Sequence, residues 1–555
     1  MLDRLSAKDR GDEPEPPRRR PQPVPPRRAG RAWRPRNGLL WAAGIVGAIL
    51  LVLFVVSSQF DGYLRRTLEA RMNQRLKGYS VSLGHAHLGL PNLALTLKDL
   101  VVRQQANPEP PVVDIPRLKE SIEWRELLTL HLVSDARLDR PRIHLDLPQL
   151  QSEANDPVSV KDRGWQQALE SMYPLKLNHF QIDEGDIVYV DADGERPLHV
   201  SHWNLRAENI RNIHSRDRVY PSPVHTDGVI FDTGRGVADG NADFLAEPFL
   251  GLHVLYELEK VPLDLLRPLS ARANLELHGG ILASKGELEY GPRHREARIA
   301  DVTVRGLRLD YLHSPATTAA EKRRGAAVAK AAKNPQPPVP YRIARLRVLG
   351  SEIGIVNRAP DHPYRLFLTD TDLEVTNVST GFGEPAHAKL TARFMGSGTA
   401  HGEARYREAG GNPDLDLSVA VEGANLPALN DLFRSYGNFD VAAGSFSLYT
   451  QMRVKDRKIS GYVKPLFHDV KVYDPQQDKD KPPLHKLYEK IVGGVSHVLE
   501  NHQREEVATQ ADLSGSVDSP KTSTWQIVGR LLENAFVKSI LPGFQQTFKK
   551  AQKGK

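Results

Sequence analysis

Two histidines, His85 and His87, sit two residues apart in an alternating run. On a strand such residues share one face, a spacing that can hold a metal ion. No third ligand accompanies them, so they read as ordinary strand histidines. A second cluster, Asp183, Glu184, Asp186, Asp191 and Asp193, carries the oxygen ligands that calcium takes. It lacks the EF-hand spacing, and Asp191-Ala192-Asp193-Gly194 reads as a hairpin turn. The P-loop, G-x-G-x-x-G, G-x-S-x-G and H-E-x-x-H patterns do not occur. Cysteine is absent, which excludes disulfides, thiolate metal sites and cysteine nucleophiles. The sequence therefore points to no catalytic set, no metal and no cofactor, and to a protein that binds without catalysing.

The formal net charge is +7, but residues 1–37 carry eleven Arg or Lys against five Asp or Glu, a net of +6. About +1 is left for the remainder, so a nucleic-acid-binding face is not expected. Residues 1–37 form a Pro/Arg-rich tail too polar to bury a core, and are expected to be disordered. From Gly38 to Ser57 no residue is charged. Twenty apolar residues make a helix of about 30 Å, the thickness of the hydrocarbon layer. The run is too long for a cleavable signal peptide, and no clear small-residue cleavage site follows. Arg27, Arg28, Arg31, Arg34 and Arg36 precede it without nearby acids, whereas Arg65, Arg66 and Arg71 after it are offset by Asp61 and Glu69. The positive-inside rule then puts the N-terminus in the cytoplasm and the body on the far side. Gly44 and Ala48 form a small-xxx-small pair compatible with helix pairing.

Leu64, Leu68, Met72 and Leu76 recur every four residues and predict a helix from Gln59 to Leu76. The period then changes to two, in Leu93-Ala94-Leu95-Thr96-Leu97, Asp186-Ile187-Val188-Tyr189-Val190 and Leu307-Arg308-Leu309. Such runs continue for some four hundred residues between Gly, Pro, Asn and Asp, which predicts a mainly β body.

The body also contains an internal duplication. The stretch from Leu177 to Asp191 aligns with Ile343 to Asn357, matching Phe180, Ile182, Ile187 and Tyr189 to Leu346, Val348, Ile353 and Ile355. Val200, Leu205 and Asn209 then match Leu368, Leu373 and Asn377, and Gly279-Gly280 matches Ala443-Gly444. The offset stays near 160–168 residues, a period that implies whole repeat units. The expected organisation is a tail (1–37), a transmembrane helix (38–57), an N-terminal helix and β segment (58–171), β repeat unit 1 (172–312), an Ala/Pro-rich helix and linker (313–340), β repeat unit 2 (341–474) and C-terminal amphipathic helices with a basic tail (475–555). The two C-terminal stripes run Leu484 to Leu499 and Ile527 to Ile540, and are expected to cap the sheet more readily than to bind a membrane surface.

Taken in order, these features resemble the AsmA-like family of envelope proteins, over roughly residues 60–545. The resemblance rests on Leu76-Lys77-Gly78-Tyr79-Ser80-Val81 and Leu95 to Val102 after the membrane helix, then on Asp139-Arg140-Pro141-Arg142-Ile143. Gly461-Tyr462-Val463-Lys464-Pro465-Leu466 and Leu532-Glu533-Asn534-Ala535-Phe536 resemble elements of its short, TamB-related members. The resemblance implies an elongated β-sheet curled into a groove, and a role in moving phospholipid between membranes for outer-membrane homeostasis. It implies a periplasmic body anchored in the inner membrane through residues 38–57, with envelope proteins as further partners.

A sheet with one apolar face gives acyl chains a track while headgroups stay wet. The expected lining residues are Leu95, Leu97, Ile182, Ile187, Tyr189, Val200, Leu205, Ile353, Ile355, Leu368 and Leu373. The same alternation also fits an ordinary core packed against a second layer. The competing function is a scaffold or regulator whose sheet edges recruit partners by strand addition.

Overall fold

The computed structural model describes residues 61–122, 133–149, 176–210, 218–317, 340–471 and 500–516, with short breaks inside these ranges. The chain divides between Gln59 and Phe60, and the first unit lies wholly outside the described residues. The expected tail, the membrane span at 38–57, most of the linker and both C-terminal helical stripes fall outside them too. Among the described residues no helix is long and apolar enough to cross a membrane.

The second unit opens with helix α1, residues 61–74, as its four-residue apolar period requires. Strands β1 (Tyr79–Gly89), β2 (Ala94–Gln104), β3 (Val113–Ile122), β4 (Val133–Asp139) and β5 (Arg142–Asp146) follow. Leu68, Met72 and Leu76 of this segment close over Val81, Leu83, Leu97, Leu100 and Val102 to make a buried core. The helix also seals the outer edge of β1. Asn73 Nδ2 donates to the Val81 carbonyl at 2.8 Å, and Asn73 Oδ1 accepts from Val81 N–H at 2.8 Å. Leu83 N–H donates to Glu69 Oε2 at 3.3 Å, and Arg65 donates to the Leu83 carbonyl at 3.1 Å. An unpaired strand edge invites other strands, and these three side chains occupy it.

The first repeat comprises β6 (Lys176–Val190), β7 (Leu198–Glu208), β8 (Ser222–Ile230), β9 (Gly234–Asp243), β10 (Gly251–Pro262), β11 (Leu275–Tyr290) and β12 (Arg295–His313). The second comprises β13 (Tyr341–Asn357), β14 (Tyr364–Ser379), β15 (Ala386–Phe394), β16 (Gly398–Ala409), β17 (Asn412–Asn425), β18 (Ala443–Lys455) and β19 (Lys458–Lys471). A short helix follows the fifth strand of each, α2 (Arg267–Ala271) and α3 (Asn430–Gly437).

The two copies share even their irregularities. The β6–β7 ladder shifts register at Ile182, Gly185 and Ile187, and β13–β14 shifts at Val348, Ser351 and Ile353, each 166 residues later. Left-handed backbone recurs in step, at Glu184 (φ 54°) and Gly350 (φ 54°), at His202 (φ 50°) and Asp370 (φ 49°), and at Asn209 (φ 55°) and Asn377 (φ 58°). That conformation disfavours most side chains by about 1–2 kcal/mol, so its retention at Glu184, where the other copy has glycine, marks a bend that the fold requires.

Among the described residues, 22 strands form one mixed sheet, paired in near-sequential order. Seven antiparallel strands per repeat leave the last running the same way as the first. A second copy in the same orientation must therefore start parallel to its neighbour. It does: β12 pairs parallel with β13, and β4 and β5 pair parallel with β6. The Ala/Pro-rich segment marks no break in the sheet, which runs straight across it. After β19 the pattern ends with β20 (Glu500–Asn501), β21 (Glu506–Ala508) and β22 (Ala511–Ser516), the last two pairing antiparallel with β19. The sequence reading missed these strands because they are too short to show a period.

Candidate functional site

Alternation sorts the sheet into two chemically distinct faces. One row of directly paired residues runs from Ile182 through Leu205, Thr226, Ala238, Tyr256 and Gly286 to Ile299. It then crosses the parallel joint to Ile343. A second row passes from Val302 to Leu346, Val375, Ala388 and Ala404. Both rows lack charge and mix small residues with branched ones.

The opposite face carries paired ions. Asp239, Leu255, Glu287, Arg298 and Arg342 form one of its rows. Arg347 bridges to Asp301 at 3.1 Å, Arg453 to Asp416 at 2.6 Å and Arg407 to Asp414 at 2.9 Å. Arg365 meets Asp310 at 2.9 Å and also Glu352. A depression of about 530 Å³ lies here around the exposed Leu255. Two of its acids are already engaged, Asp239 with His225 and Glu287 with His253, each at 2.5 Å.

The cluster on this face closest to a metal site is Glu289, His294 and Glu296. Arg218 grips Glu289 through two hydrogen bonds of 2.8 and 2.6 Å, Tyr220 adds one of 3.1 Å, and Arg298 grips Glu296 at 2.7 and 3.0 Å. The hydrogen bonds from Arg218 and Arg298 hold both carboxyls below the ordinary carboxylate range. Two carboxylates balanced by two guanidiniums leave little charge for a cation, so the group is a structural clasp. Described members of the histidine and acidic clusters are likewise engaged locally. His87 bonds Asp61 at 2.8 Å, Arg137 meets Asp183 at 2.7 Å, and Glu184 pairs with His202.

The apolar face is covered unevenly. Leu95 and Leu97, expected among the lining residues, instead lie in the closed core beneath α1, 3% and 0% exposed. Ile182 is buried within the sheet. Ile187, Tyr189, Val200, Leu205, Ile353, Leu368 and Leu373 are half-buried, and Ile355 is 52% exposed. Direct pairing joins Ile187 to Val200 and Ile353 to Leu368, equivalent pairs in the two copies. Leu368 also touches the cluster of Leu429, Phe433 and Phe446 around α3. Leu263 and Leu266, beside α2, meet Val304 and Leu307 in the same way. Each repeat thus has a short helix over part of its apolar face, while Tyr341, 41% exposed, and Ile355 remain in contact with solvent.

A buried acid, Glu120, also lies on this face. Glu120 pairs across strands with Leu95 and Ala136, and is only 7% exposed. Burial pushes its carboxyl up to about 7, although Ser134 Oγ donates to it at 2.9 Å. A lone acid in an alternating run has no distinguishing sequence signal, so Glu120 was not legible beforehand.

No protein-family model matches the chain, and no curated protein matches it.

Proposed function

We propose that this protein is a lipid-binding component of a cell envelope, holding acyl chains against the apolar face of its sheet and carrying out no chemistry of its own. The observation that carries this reading is the continuity of that face. Uncharged rows pass through the parallel joint without a break, and Ile299, Val302, Ile343 and Leu346 on either side of it are half-buried. An apolar sheet face without full cover is unfavourable in water by roughly 25 cal/mol for each exposed Å². Acyl chains would relieve that, while the ion-paired face keeps the sheet soluble.

In this reading the sheet curls into a groove, residues 38–57 anchor it in the inner membrane, the N-terminus is cytoplasmic and the body is periplasmic. The resemblance to AsmA-like proteins supports phospholipid as the ligand and outer-membrane homeostasis as the setting. Recruitment of partners by strand addition finds no support at β1, whose outer edge is taken by Asn73, Glu69 and Arg65.

Two experiments test the reading. Lipid extracted from the purified chain is identified by mass spectrometry; phospholipid in stoichiometric amount is expected, and its absence refutes the ligand. Alkaline phosphatase fused after Lys555 is expected to be active. An inactive fusion beside an active cytoplasmic reporter would reverse the topology.

A further inference from the structure

Helix α1 carries its charges in an arrangement that the sequence alone conceals. Counted along the chain, Arg65, Arg66 and Arg71 are offset by Asp61 and Glu69. The fold turns both acids toward the sheet. Asp61 Oδ2 meets His87 Nδ1 of β1 at 2.8 Å. Glu69 Oε2 accepts from Leu83 N–H of the same strand at 3.3 Å, and Arg65 beside it donates to the Leu83 carbonyl at 3.1 Å. Two acids and one arginine are thereby committed to β1.

The outward face is left with cations. Leu68 and Met72 point into the core. At 3.6 residues per turn, Tyr63 and Ala70 stand opposite them, with Arg66 on one flank and Arg71 on the other. All four outward residues are exposed, and so is Lys77 in the bend that leads to β1. Among the described residues, Arg66, Arg71 and Lys77 form no ion pair. Tyr63 is 68% exposed, more than any other large apolar residue described.

The shape and chemistry of this face select its partner. A helix surface is convex and gives a small anion no enclosure, so the match is a broad surface bearing many anionic groups. Tyrosine suits the headgroup level of a bilayer, where one end of its ring is apolar and the other wet. Basic side chains at that level are attracted to anionic lipids.

We infer that the outward face of α1 docks on the headgroups of an anionic phospholipid bilayer, through Arg66, Arg71 and Lys77 with the Tyr63 ring among them. The apolar side of the helix is already taken by the core. The helix therefore lies on the headgroups and does not enter the hydrocarbon, unlike an amphipathic helix that inserts its apolar side. Because α1 packs on β1 and β2, the contact sets the first strands of the sheet beside the membrane. It concerns headgroups at the helix and not acyl chains on the sheet, so the two readings hold or fail separately.

The chain has no cysteine, so Ala70→Cys carries a single fluorophore at the centre of the face. The full chain is mixed with phosphatidylcholine vesicles, with or without phosphatidylglycerol. A nitroxide quencher is attached either to the headgroup or near the end of an acyl chain. Quenching is expected from the headgroup position, with phosphatidylglycerol present, and not from the acyl position. A Lys or Arg at an anionic surface favours contact about fivefold, so three together supply on the order of a hundredfold. Combining Arg66→Glu, Arg71→Glu and Lys77→Glu should therefore cut the quenching at least fivefold, while Arg66→Lys with Arg71→Lys should retain it. Should the reversal lower the melting temperature, the comparison of the two lipid compositions without it still decides. Equal quenching with and without phosphatidylglycerol, equal quenching of the parent and the reversed chain, stronger quenching from the acyl position, or none in any vesicle would overturn the inference. Absence of quenching together with shielding of the fluorophore by polyglutamate would assign the face to an acidic protein instead.

Discussion

Introducing aspartate at two points of the same apolar face should have very different consequences. Leu415 is 1% exposed and packs against Met452, Val454 and Ile459. Replacing a buried leucine by a small residue costs about 2–5 kcal/mol, and an unpaired acid in its place adds several more. Leu415→Asp is therefore expected to lose more than about 5 kcal/mol, enough to unfold a repeat of ordinary stability. Ile355 is on the same face but 52% exposed. Full burial of an isoleucine contributes about 1.5–3 kcal/mol, so a half-exposed one contributes about 1 kcal/mol. The new carboxylate stays hydrated, and the poorer strand propensity of aspartate adds at most about 1 kcal/mol. Ile355→Asp should lose no more than about 2 kcal/mol yet abolish lipid retention. Urea unfolding followed by the strand circular-dichroism signal gives both losses, with bound phospholipid measured on the same preparations. Equal destabilisation by the two substitutions would mean a sealed face and would refute the reasoning.

Glu120, raised from 4.5 to about 7, makes stability pH-dependent. Its neutral form is favoured in the fold, so its contribution is complete below about pH 4.5 and is lost as pH rises through 7, by on the order of 3 kcal/mol. Glu120→Gln should flatten that part of a urea-stability profile, and an unchanged slope would count against the assignment. Asn73→Leu removes both hydrogen bonds to Val81, so about 1–2 kcal/mol of stability should be lost and self-association should appear in sedimentation. Glu289→Ala leaves Arg218 without its main partner and should lower the melting temperature, whereas zinc or a chelator should leave the parent's melting unchanged.

Much of the architecture was legible in the sequence because its causes are local. The four-residue period of Leu64 to Leu76 gives α1, and the period of two gives the strands. The duplication was legible because Ile182, Ile187, Val200 and Leu205 keep their spacing in the second copy, and the structure places the same register breaks at those residues. Alternation fixes which residues share a face but carries no information about what covers it. That is why Leu95 and Leu97, which alternate like the rest, were grouped with Ile353 and Ile355 although α1 encloses them. The parallel joints depend on the number of strands per repeat, a global property. Glu120 became distinctive only once the fold placed it between Leu95 and Ala136.

The central claim is that acyl chains lie on one face of the sheet and not on the other. A photo-activatable phenylalanine analogue placed at Ile355 or Leu390 reports the apolar face, and one at Arg305 or Arg393 reports the polar face. Each full-length variant is irradiated in cells, purified and analysed by intact mass. The account predicts phospholipid-sized adducts at Ile355 and Leu390 and none at Arg305 or Arg393. Adducts of equal yield on both faces, or none on the apolar face, would contradict it.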